Sequence, residues 1–502
     1  MQERNKNYIK KISIQGFRGF KDKETINFAY PDQEGHCGLN IIVGQNCSGK
    51  STIIEAIKLL MQSNRKGYFL SKSKKNSDIE LDIEMENINC TTKLQTNQRR
   101  NFAKIINIID GEEIEGYRED KNYFLVPSRK NVVNNNLYNH NDDNIESFLI
   151  NYQNNNNQSS INRRNTNLNN EFVSVLTTIY ADEDKKSEFD NILKRFFEDV
   201  TWNLYMSDEQ DNSFVVDIQD KCGSTHFEGV GDGIITIIYI CVGLFMLEQN
   251  LISVLLIDEP EVSLHTQIIK KISEVLREYS NNYQIIISTH SPYLIDWKSI
   301  KNGGKLIRAV NEERIRIYEL ENKLIEDIEM NPSNNPHLYG TTAKEVFFLK
   351  DRIVLVEGQE DVVCYNKILE KLSQEGKYNF YGWGTGGATN IRLIMRILKS
   401  LGYKKIVGIF DGDDIGKKEA EKCNKEFDGK YIALNICTED IRDKYISIYN
   451  KETLKKEEEI LQKEGVCDEK LKIKDNFEQT YKEGFINIFS RVDTYFERKE
   501  GN

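Results

Sequence analysis

Short apolar runs in the N-terminal part of the chain predict strands. Val254–Ile257 and most of Gln284–Ser288 are apolar, and such runs are typical of strands that a sheet buries on both faces. Ile9–Phe28 alternates apolar and polar positions around a Gly-Phe-Arg-Gly-Phe turn, which predicts two strands. Asp78–Glu84 and Lys104–Ile109 predict further strands. We therefore expect the first lobe to be built on sheets.

Two other segments predict helices. Glu188–Val200 places its apolar side chains at helical spacing. Ile234–Leu247 is an apolar run of 14 residues that ends at Glu248, whereas a membrane-spanning helix needs about 20 apolar residues. This run therefore predicts a buried helix and no contact with a membrane.

From Ile353 onward, apolar strands alternate with amphipathic helices. The predicted strands are Ile353–Val356, one near Phe380, Lys405–Phe410 and Tyr431–Ile436, and the predicted helices are Val362–Leu372, Ile391–Leu401 and Lys417–Phe427. This alternation predicts a second α/β domain. The proline-containing residues 331–345 are the predicted junction, so we expect domains over residues 1–330 and 346–502. The charged tail past Lys451 is expected to be mostly helical.

Composition narrows the class of protein. The 502 residues carry a formal net charge of -11, which excludes a chain that is basic throughout but leaves room for a local basic groove. The nine cysteines include no C-x-x-C pair, so we expect reduced thiols in a cytoplasmic protein rather than disulfides or a zinc site. Residues 131–170 contain 17 asparagines, which predicts a loose surface insertion.

The strongest chemical signal is the loop Gly44–Ser51, which fits G-x-x-x-x-G-K-[ST] between an apolar strand and a helix. Its backbone N–H groups can wrap a polyphosphate at a helix N-terminus. Lys50 is expected to reach the β- and γ-phosphates of ATP, and the Ser51 hydroxyl to bind Mg²⁺. The predicted ATP-binding residues of this segment are Gly44, Asn46, Ser48, Gly49, Lys50, Ser51 and Thr52.

Two later strand ends complete an ATPase pattern. Val254–Glu261 reads VLLIDEPE, in which Asp258 is expected to hold Mg²⁺ and Glu259 to polarise the attacking water. His290 follows the second apolar strand and could hydrogen-bond the γ-phosphate. These residues predict hydrolysis of ATP as well as binding.

Four motifs stand in order along the chain: the loop Gly44–Ser51, the strand end with Asp258 and Glu259, Glu261–His265, and Ser288–Pro292. Together they resemble the ABC-type ATPases of DNA repair and chromosome maintenance. The resemblance implies that Glu261–His265 is the D-loop and that His290, within Ser288–Pro292, is the switch histidine. It also implies a signature loop that contacts the γ-phosphate of the opposite subunit. The candidate is Glu228–Gly233, with Gly231 and Gly233 as ATP contacts, although the usual serine is absent. A loop that contacts the nucleotide of the opposite subunit requires at least a homodimer. We therefore expect a homodimer or a higher oligomer that associates through the ATPase domain.

A second group of acids predicts a second metal site. Ile353–Asp361 reads IVLVEGQED and Ile406–Asp414 reads IVGIFDGDD. Parallel α/β sheets bring their ligands together at the carboxyl ends of strands, so Glu357, Asp411 and Asp413 are expected to converge on one hard cation. Carboxylates this close repel each other, and Mg²⁺, or Mn²⁺ at this site, relieves that repulsion.

A strand followed by Glu-Gly and a later strand followed by Asp-x-Asp resemble the Toprim domain of topoisomerases, primases and certain nucleases. Asp361 and Asp440 are plausible ligands of a second cation. Two cations about 4 Å apart stabilise the attacking and leaving oxygens during phosphodiester cleavage. The glycine-rich residues 384–387 could approach a phosphate backbone or form an ordinary turn.

An ABC-type ATPase followed by a Toprim domain is similar to the OLD (overcoming lysogenization defect) family of nucleases. The resemblance implies an ATP-regulated, metal-dependent DNA endonuclease, often in anti-phage defence, where a second defence protein is a possible partner. It also implies a catalytic lysine after the Asp-x-Asp strand, for which Lys444 and Lys482 are among the candidates.

Two other functions remain open at this point. One is an ATP-switched scaffold or nucleic-acid sensor with a non-catalytic Toprim fold. The other is a topoisomerase-like enzyme, which would need a tyrosine nucleophile that the sequence cannot single out among its 24 tyrosines.

Overall fold

The structure is a computed structural model that describes residues 6–32, 34–61, 80–86, 90–97, 102–109, 112–115, 122–128, 168–198, 200–206, 214–220, 223–226, 232–321, 324, 347, 352–382, 385–449, 456–468 and 470–498. The chain divides into two compact units, Met1–Ile317 and Tyr318–Asn502. Most of the asparagine-rich insertion and the predicted junction lie outside the described residues.

The first unit is built on a mostly parallel sheet, to which one hairpin strand, β15, is added at the edge. Its strands are β3 (Leu39–Val43), β8 (Tyr123–Val126), β12 (Val254–Asp258), β13 (Gln284–Thr289), β14 (Lys305–Glu312) and β15 (Arg314–Glu319). Among the described residues their order is β15-β14-β3-β13-β12-β8. β13 lies between β3 and β12 and is parallel to both, with Asp258 opposite Ser288 and Thr289 opposite Val43. The carboxyl ends of three strands therefore meet at one edge.

Two antiparallel sheets complete this unit. One contains β1 (Ile9–Gln15), β2 (Glu24–Asn27), β4 (Glu80–Met85), β5 (Cys90–Asn97), β6 (Phe102–Ile109) and β7 (Glu112–Glu115), in the order β2-β1-β4-β5-β6-β7. The other contains β9 (Thr201–Met206), β10 (Phe214–Asp220) and β11 (Gly223–His226), in the order β11-β10-β9. The predicted strands of the N-terminal lobe are therefore confirmed, although β1, β4 and β6 form a sheet of their own.

The helices of the first unit are α1 (Lys50–Met61), α2 (Leu168–Tyr180), α3 (Glu183–Lys194), α4 (Asp232–Glu248), α5 (Thr266–Ser280) and the short α6 (Trp297–Lys301). Every residue of α4 from Ile235 to Leu247 is buried, which confirms the predicted buried helix. None of the helices in the described part of the chain is long and apolar enough to cross a membrane.

The second unit contains a parallel sheet with helices between its strands. The strands β16 (Ile353–Leu355), β17 (Asn379–Tyr381), β18 (Ile406–Phe410) and β19 (Ile432–Asn435) lie in the order β17-β16-β18-β19. The helices α7 (Gln359–Lys371), α8 (Ala388–Ser400) and α9 (Asp414–Phe427) connect them. Every predicted strand and helix of this α/β alternation is confirmed, with ends that differ by a few residues.

The prediction of a mostly helical C-terminal tail is wrong for its first part. Residues Lys444–Tyr449 and Lys456–Lys463 form an antiparallel hairpin, β20 and β21, and only then do the helices α10 (Phe477–Thr480) and α11 (Lys482–Glu497) follow. The charged residues of β21 favour a helix locally, but pairing with β20 decides the conformation, because strand formation depends on the partner strand more than on intrinsic preference.

Candidate functional site

The glycine-rich loop joins β3 to α1, and two of its glycines are required by the backbone. Gly44 has φ +153°, and a Cβ atom there would lie 2.3 Å from the carbonyl oxygen of Ala309. Gly49 has φ +105°, and a Cβ atom there would lie 2.5 Å from Cδ1 of Ile315. Only glycine fits both positions, because both the conformation and the space exclude a side chain. The loop therefore has the tight shape that a polyphosphate requires.

Lys50 begins α1 and turns back over the loop. Its side chain is 3% exposed, and Nζ donates hydrogen bonds to the carbonyl oxygens of Gly44 and Gln45, each at 3.2 Å. Nζ also lies 2.6 Å from Nε2 of His290. Burial lowers the pKa of Lys50, while the nearby carboxylate of Glu259 acts in the opposite direction. The ammonium group is thus held at the mouth of the loop, surrounded by acceptors.

The end of β12 supplies the acids of this site. The Ser51 hydroxyl donates to Oδ1 of Asp258 at 3.0 Å, and the Ser288 hydroxyl donates to the same oxygen. The next residue, Glu259, adopts φ +45°, and its carboxylate lies 3.1 Å from Nε2 of His290. A non-glycine residue in this left-handed region stores strain of a kind that clusters at functional sites. Ser51 and Asp258 therefore form one oxygen-rich pair, with Glu259 beside it.

His290 lies between the acid and the lysine. Burial and the positive charge of Lys50 lower its pKa, which favours the neutral ring, while the carboxylate of Glu259 acts in the opposite direction. Its backbone N–H donates to Oε1 of Glu261. Burial raises the pKa of Glu261. The tertiary structure thus brings Lys50, Asp258, Glu259 and His290 together at the meeting point of β3, β12 and β13.

The remaining predicted ATP contacts are distributed around this centre. Ser48 and Thr52 are buried and Asn46 is exposed. Gly231 lies outside the described residues, whereas Gly233 lies in the first turn of α4, where a Cβ atom would be 2.8 Å from the carbonyl oxygen of Ser263. The start of α4 therefore packs directly against the predicted D-loop.

In the second unit, Glu357 and Asp411 follow the neighbouring parallel strands β16 and β18. Oε1 of Glu357 accepts a hydrogen bond from the backbone N–H of Asp411 at 2.9 Å. This bond joins the two strand ends directly. Asp411 is buried, at 6% exposure, so a cation bound there would be partly shielded from water.

Asp413 is the N-cap of α9 and accepts a hydrogen bond from the backbone N–H of Gly416 at 2.7 Å. The Nζ atom of Lys463 lies 2.6 Å from its other oxygen. Burial is the largest influence on both groups and opposes their ionisation, but their mutual hydrogen bond, the nearby opposite charges and, for Asp413, backbone N–H groups together outweigh it, so the pKa of Asp413 is lowered and that of Lys463 is raised. The charges of Asp440 and Asp411 also act on Lys463, which places this lysine among the predicted acids.

The two other predicted ligands are held by local backbone bonds. Asp361 lies in the first turn of α7, and its Oδ2 accepts from the N–H of Gly358 at 2.8 Å. Asp440 is 2% exposed and accepts from the N–H of Arg442 at 3.2 Å. All five acids offer oxygen atoms only, which suits hard cations such as Mg²⁺ or Mn²⁺.

The predicted metal ligands of the second unit do not form a compact cluster. Across the described residues, one set of three potential ligands has all of its ligand atoms within 4.8 Å of one another, and it is the exposed group Asp32, Glu34 and His36. No three of the predicted Toprim ligands meet that condition. Direct ligation of one cation by three of these acids therefore requires their side chains to move, whereas a hydrated cation can be held by one or two of them.

Comparison with known proteins gives the family. Residues 39–296, just over half of the chain, match the family described as "AAA domain, putative AbiEii toxin, Type IV TA system". The chain belongs to this AAA-domain family. Residues 348–413 match the family described as "Overcoming lysogenization defect protein-like, TOPRIM domain". This member of the AAA-domain family therefore carries an OLD-like Toprim domain after its ATPase domain.

Two relatives of this AAA-domain protein are nucleases by name. Endonuclease GajA of Bacillus cereus is 26% identical over 194 residues, which cover 38% of this chain and 31% of GajA. The OLD nuclease of Thermus scotoductus is 30% identical over 215 residues, which cover 39% of this chain and 40% of that nuclease. The chain thus spans a third to two fifths of the length of these relatives.

Among solved structures, the Smc head domain of Pyrococcus furiosus resembles the chain at a TM-score of 0.43 and 14% identity, with 65% of this chain and 100% of that chain covered. The fold assignment rests on the family matches and on the strand order given above.

The structure adds residues to the AAA-domain site that the sequence analysis did not assign. A cavity of about 300 Å³ faces the loop, and its lining includes Arg18, Gly19, Asn311 and Ile315. Arg18 belongs to the Gly-Phe-Arg-Gly-Phe turn, which is visible in the sequence but carries no known chemistry by itself. Asn311 and Ile315 lie on the β14–β15 hairpin, far from the loop in the sequence, and no local pattern marks them.

Lys463 is the residue of the Toprim domain that the sequence analysis missed. The two lysines that the sequence suggested, Lys444 and Lys482, lie elsewhere in the domain. Lys482 pairs with Glu478 at 2.6 Å on the helical tail, and Lys444 begins β20, the strand paired with β21. Lys463 ends β21, where it is paired opposite Lys444 in the hairpin. The hairpin that places Lys463 beside Asp413 could not be predicted from a charge-dense tail.

Proposed function

We propose that this protein is a nucleotide-regulated, metal-dependent DNA endonuclease. The ATPase domain binds and hydrolyses ATP, and the Toprim domain cleaves a phosphodiester bond. The observation that carries the proposal is the group of Glu357, Asp411, Asp413 and Lys463, in which acids on neighbouring strand ends adjoin a lysine on a separate hairpin. The nuclease names of two relatives support the same reaction class.

The proposed division of labour follows the chemistry of the side chains. Glu357, Asp411 and Asp413 would hold a divalent cation, with Asp361 and Asp440 as ligands of a second one. A bound Mg²⁺ or Mn²⁺ would supply Lewis-acid stabilisation of the charge that develops on the phosphate oxygens. Lys463 would orient Asp413 and present its ammonium group to the scissile phosphate. A positive group fixed before the reaction stabilises the transition state without reorganisation.

In the ATPase domain, Ser51 and Asp258 would hold Mg²⁺ on the phosphates, and Lys50 would bind the β- and γ-phosphates. Glu259 would take a proton from the attacking water, because its carboxylate lines the cavity at the loop, 3.6 Å from Nζ of Lys50 and 3.1 Å from Nε2 of His290. We further propose that two copies of the chain associate through this domain. The support is that the predicted signature segment and the predicted D-loop, both of which would contact the opposite subunit, lie together, with Gly233 at the start of α4 packed on Ser263.

The decisive experiment measures nicking of supercoiled plasmid and release of phosphate on the same preparations, with Mg²⁺ or Mn²⁺ and with or without ATP. Asp411→Ala should abolish nicking and leave ATP hydrolysis intact, whereas Glu259→Gln should abolish hydrolysis while ATP binding persists. Glu421→Ala, an exposed acid on α9, is the matched control and should retain both activities. Nicking by Asp411→Ala at the wild-type rate would refute the nuclease assignment.

A second candidate function is nucleic-acid sensing without cleavage. The specific observation in its favour is that no three Toprim acids lie within 4.8 Å of one another. A sensor would bind DNA in response to ATP but would nick no plasmid under any metal condition. In that case Asp411→Ala would leave DNA binding and its ATP dependence unchanged.

A further inference from the structure

Arg442 is a positively charged residue that joins the two segments carrying the predicted ligands of the second cation. It follows Asp440 by two positions, and its backbone N–H donates to Oδ1 of that acid at 3.2 Å. Its guanidinium forms an ion pair with Glu360, which precedes Asp361 in the first turn of α7. The ion pair therefore connects the segment of Asp440 to the helix of Asp361, and the function proposed above gives this arginine no role.

The backbone of Arg442 has a fixed position relative to the hairpin of β20 and β21. Arg442 forms an isolated parallel bridge with Cys467. Gly465 packs so closely that a Cβ atom there would lie 2.2 Å from the carbonyl carbon of Arg442. Both of these residues follow β21, the strand that ends at Lys463. The arginine side chain therefore starts from a defined point near the strand that supplies the proposed active-site lysine.

The guanidinium group of Arg442 is incompletely satisfied. Its Nε–H is buried and has no acceptor among the residues that the structure describes, and a buried donor without a partner costs free energy. The side chain of Glu360 is 42% exposed and that of Arg442 is 25% exposed, and ion pairs this open to water contribute little stability. An arginine that served only to stabilise the fold would use more of its five donors. The pairing with Glu360 can therefore give way to a stronger acceptor.

The chemistry of the site favours a phosphate group as that acceptor. The five predicted metal ligands and Glu360 concentrate negative charge, so a DNA strand needs fixed positive groups in order to approach. Lys463 is already paired with Asp413 at 2.6 Å. A guanidinium binds two phosphate oxygens at once through parallel hydrogen bonds and stays charged at any physiological pH. Arg442 thus has the charge and the geometry that a phosphate in this acidic surrounding requires.

We propose that Arg442 binds a backbone phosphate of the DNA substrate beside the metal site, and that Glu360 holds the guanidinium in place until DNA binds. Binding exchanges a carboxylate for phosphate oxygens and moves no proton. The inference rests on the proposed nuclease function and adds a residue that positions the DNA strand. Phosphate contacts of this kind fix the register of a protein on DNA without reading its sequence.

The experiment measures the affinity of the full chain for a short DNA duplex by fluorescence anisotropy at several salt concentrations. Ca²⁺ replaces Mg²⁺, because its larger and looser ligand shell should support binding without cleavage. Arg442→Ala should weaken binding about tenfold. It should also make the slope of log Kd against log salt concentration shallower by roughly one, the change expected for loss of one phosphate contact. Arg442→Lys keeps the charge but not the planar fork, so it should keep most of the slope and lose part of the affinity.

Glu360→Gln tests the exchange of partners. It should bind the duplex about threefold more tightly than wild type, because the competing carboxylate is gone. The gain should disappear when Glu360→Gln is combined with Arg442→Ala, since the two residues act on DNA through one contact. A purely structural ion pair predicts the opposite result, because loss of either partner would then weaken binding.

The ion pair of Arg396 on α8 with Glu426 on α9 is the matched control, with side chains that are 35% and 29% exposed. Arg396→Ala and Glu426→Gln should bind the duplex with the affinity and salt slope of wild type. An unchanged salt slope in Arg442→Ala would overturn the proposal and leave the nuclease function in place, and so would a gain in Glu360→Gln that persists without Arg442.

A third outcome concerns the wild-type protein itself. Wild-type protein that binds no duplex and nicks no plasmid would overturn both the phosphate contact and the nuclease function. Melting temperatures equal to that of wild type exclude misfolding as the cause of any loss. If Arg442→Ala lowers the melting temperature, Arg442→Lys and Glu360→Gln decide the question, because both keep the size and polarity of the original side chains.

Discussion

The ammonium nitrogen of Lys50 lies 2.6 Å from Nε2 of His290, although 240 positions separate the two residues in the sequence. The contact joins the phosphate-binding loop to the end of β13. Because the ring of His290 accepts this hydrogen bond, a nucleotide phosphate that binds Lys50 would compete directly with His290. The position of the loop is therefore coupled to that of the β13 strand end before any ligand binds.

Removal of the Lys50 side chain should break the contact with His290 and strongly weaken nucleotide binding. Lys50→Ala is expected to weaken ATP binding by roughly a hundredfold or more, because a charge-assisted hydrogen bond contributes up to about 3 kcal/mol. Fluorescent-nucleotide titration measures the effect. Lys58→Ala, on the last turn of the same helix, is the control and should bind normally. Equal binding by Lys50→Ala and wild type would refute the loop assignment.

The histidine predicts a pH dependence of stability. Burial and the charge of Lys50 lower the pKa of His290, so the folded protein takes up the imidazole proton less readily than the unfolded chain. The unfolded chain therefore gains protons first as the pH falls below about 6.5, the ordinary histidine value, and the folded state loses stability there. His290→Gln should show a smaller fall in melting temperature between pH 7.5 and pH 5.5 than wild type. A fall of the same size in both proteins would contradict the assignment.

Lys463 should be the lysine on which cleavage depends. Lys463→Ala is expected to lower the rate of plasmid nicking by roughly 10²–10³-fold, the range found for loss of one preorganised electrostatic group. Lys463→Arg should recover part of that loss because the charge beside Asp413 is retained. Lys482→Ala removes an exposed lysine of the tail helix and should cleave normally. Nicking by Lys463→Ala at the wild-type rate would show that the hairpin lysine has no role.

The Asp413–Lys463 pair should make the stability of the folded state depend on pH in the acid range. The pKa of Asp413 is lowered in the folded state, so its contribution to stability is complete above the ordinary aspartate value of about 3.9 and is lost as the pH falls through the lower folded value. Asp413→Asn should be less acid-sensitive than wild type when unfolding is followed by circular dichroism from pH 5 to pH 2. An unchanged acid transition would mean that the pair contributes nothing to the stability of the folded state.

The stability of the first unit should depend on one aromatic stack. Phe172 of α2 is 1% exposed, and its ring lies 3.7 Å from that of Tyr239 in α4, with 10° between the planes. Phe172→Ala should destabilise the protein by about 3–5 kcal/mol, the usual result of emptying a buried aromatic site. Denaturant unfolding measures this change, and Ser187→Ala, at an exposed position of α3, should have almost no effect. A loss below 1 kcal/mol would show that the stack is dispensable.

Local sequence patterns determined much of the architecture. The spacing of glycines, lysine and serine predicted the loop at Gly44–Ser51, because a tight turn, a cation and a hydroxyl must occur at fixed intervals along one stretch of backbone. Apolar strands that end in acids predicted both sheets of the α/β type, since the carboxyl ends of parallel strands meet at one edge. These inferences succeeded because each depends on neighbours within about ten residues.

Tertiary structure alone decided which distant residues complete the sites. Lys463 reaches Asp413 because β21 pairs with β20, and Ile315 of β15 reaches Gly49 because β15 follows β14 at the side of β3. Strand pairing over such separations is set by the packing of the whole unit, so no local pattern can reveal it. The same reason explains the tail, where the charges of Lys456–Lys463 favour a helix and the partner strand imposes a hairpin. The sequence therefore determined the chemistry of each motif, and the fold decided which side chains share its site.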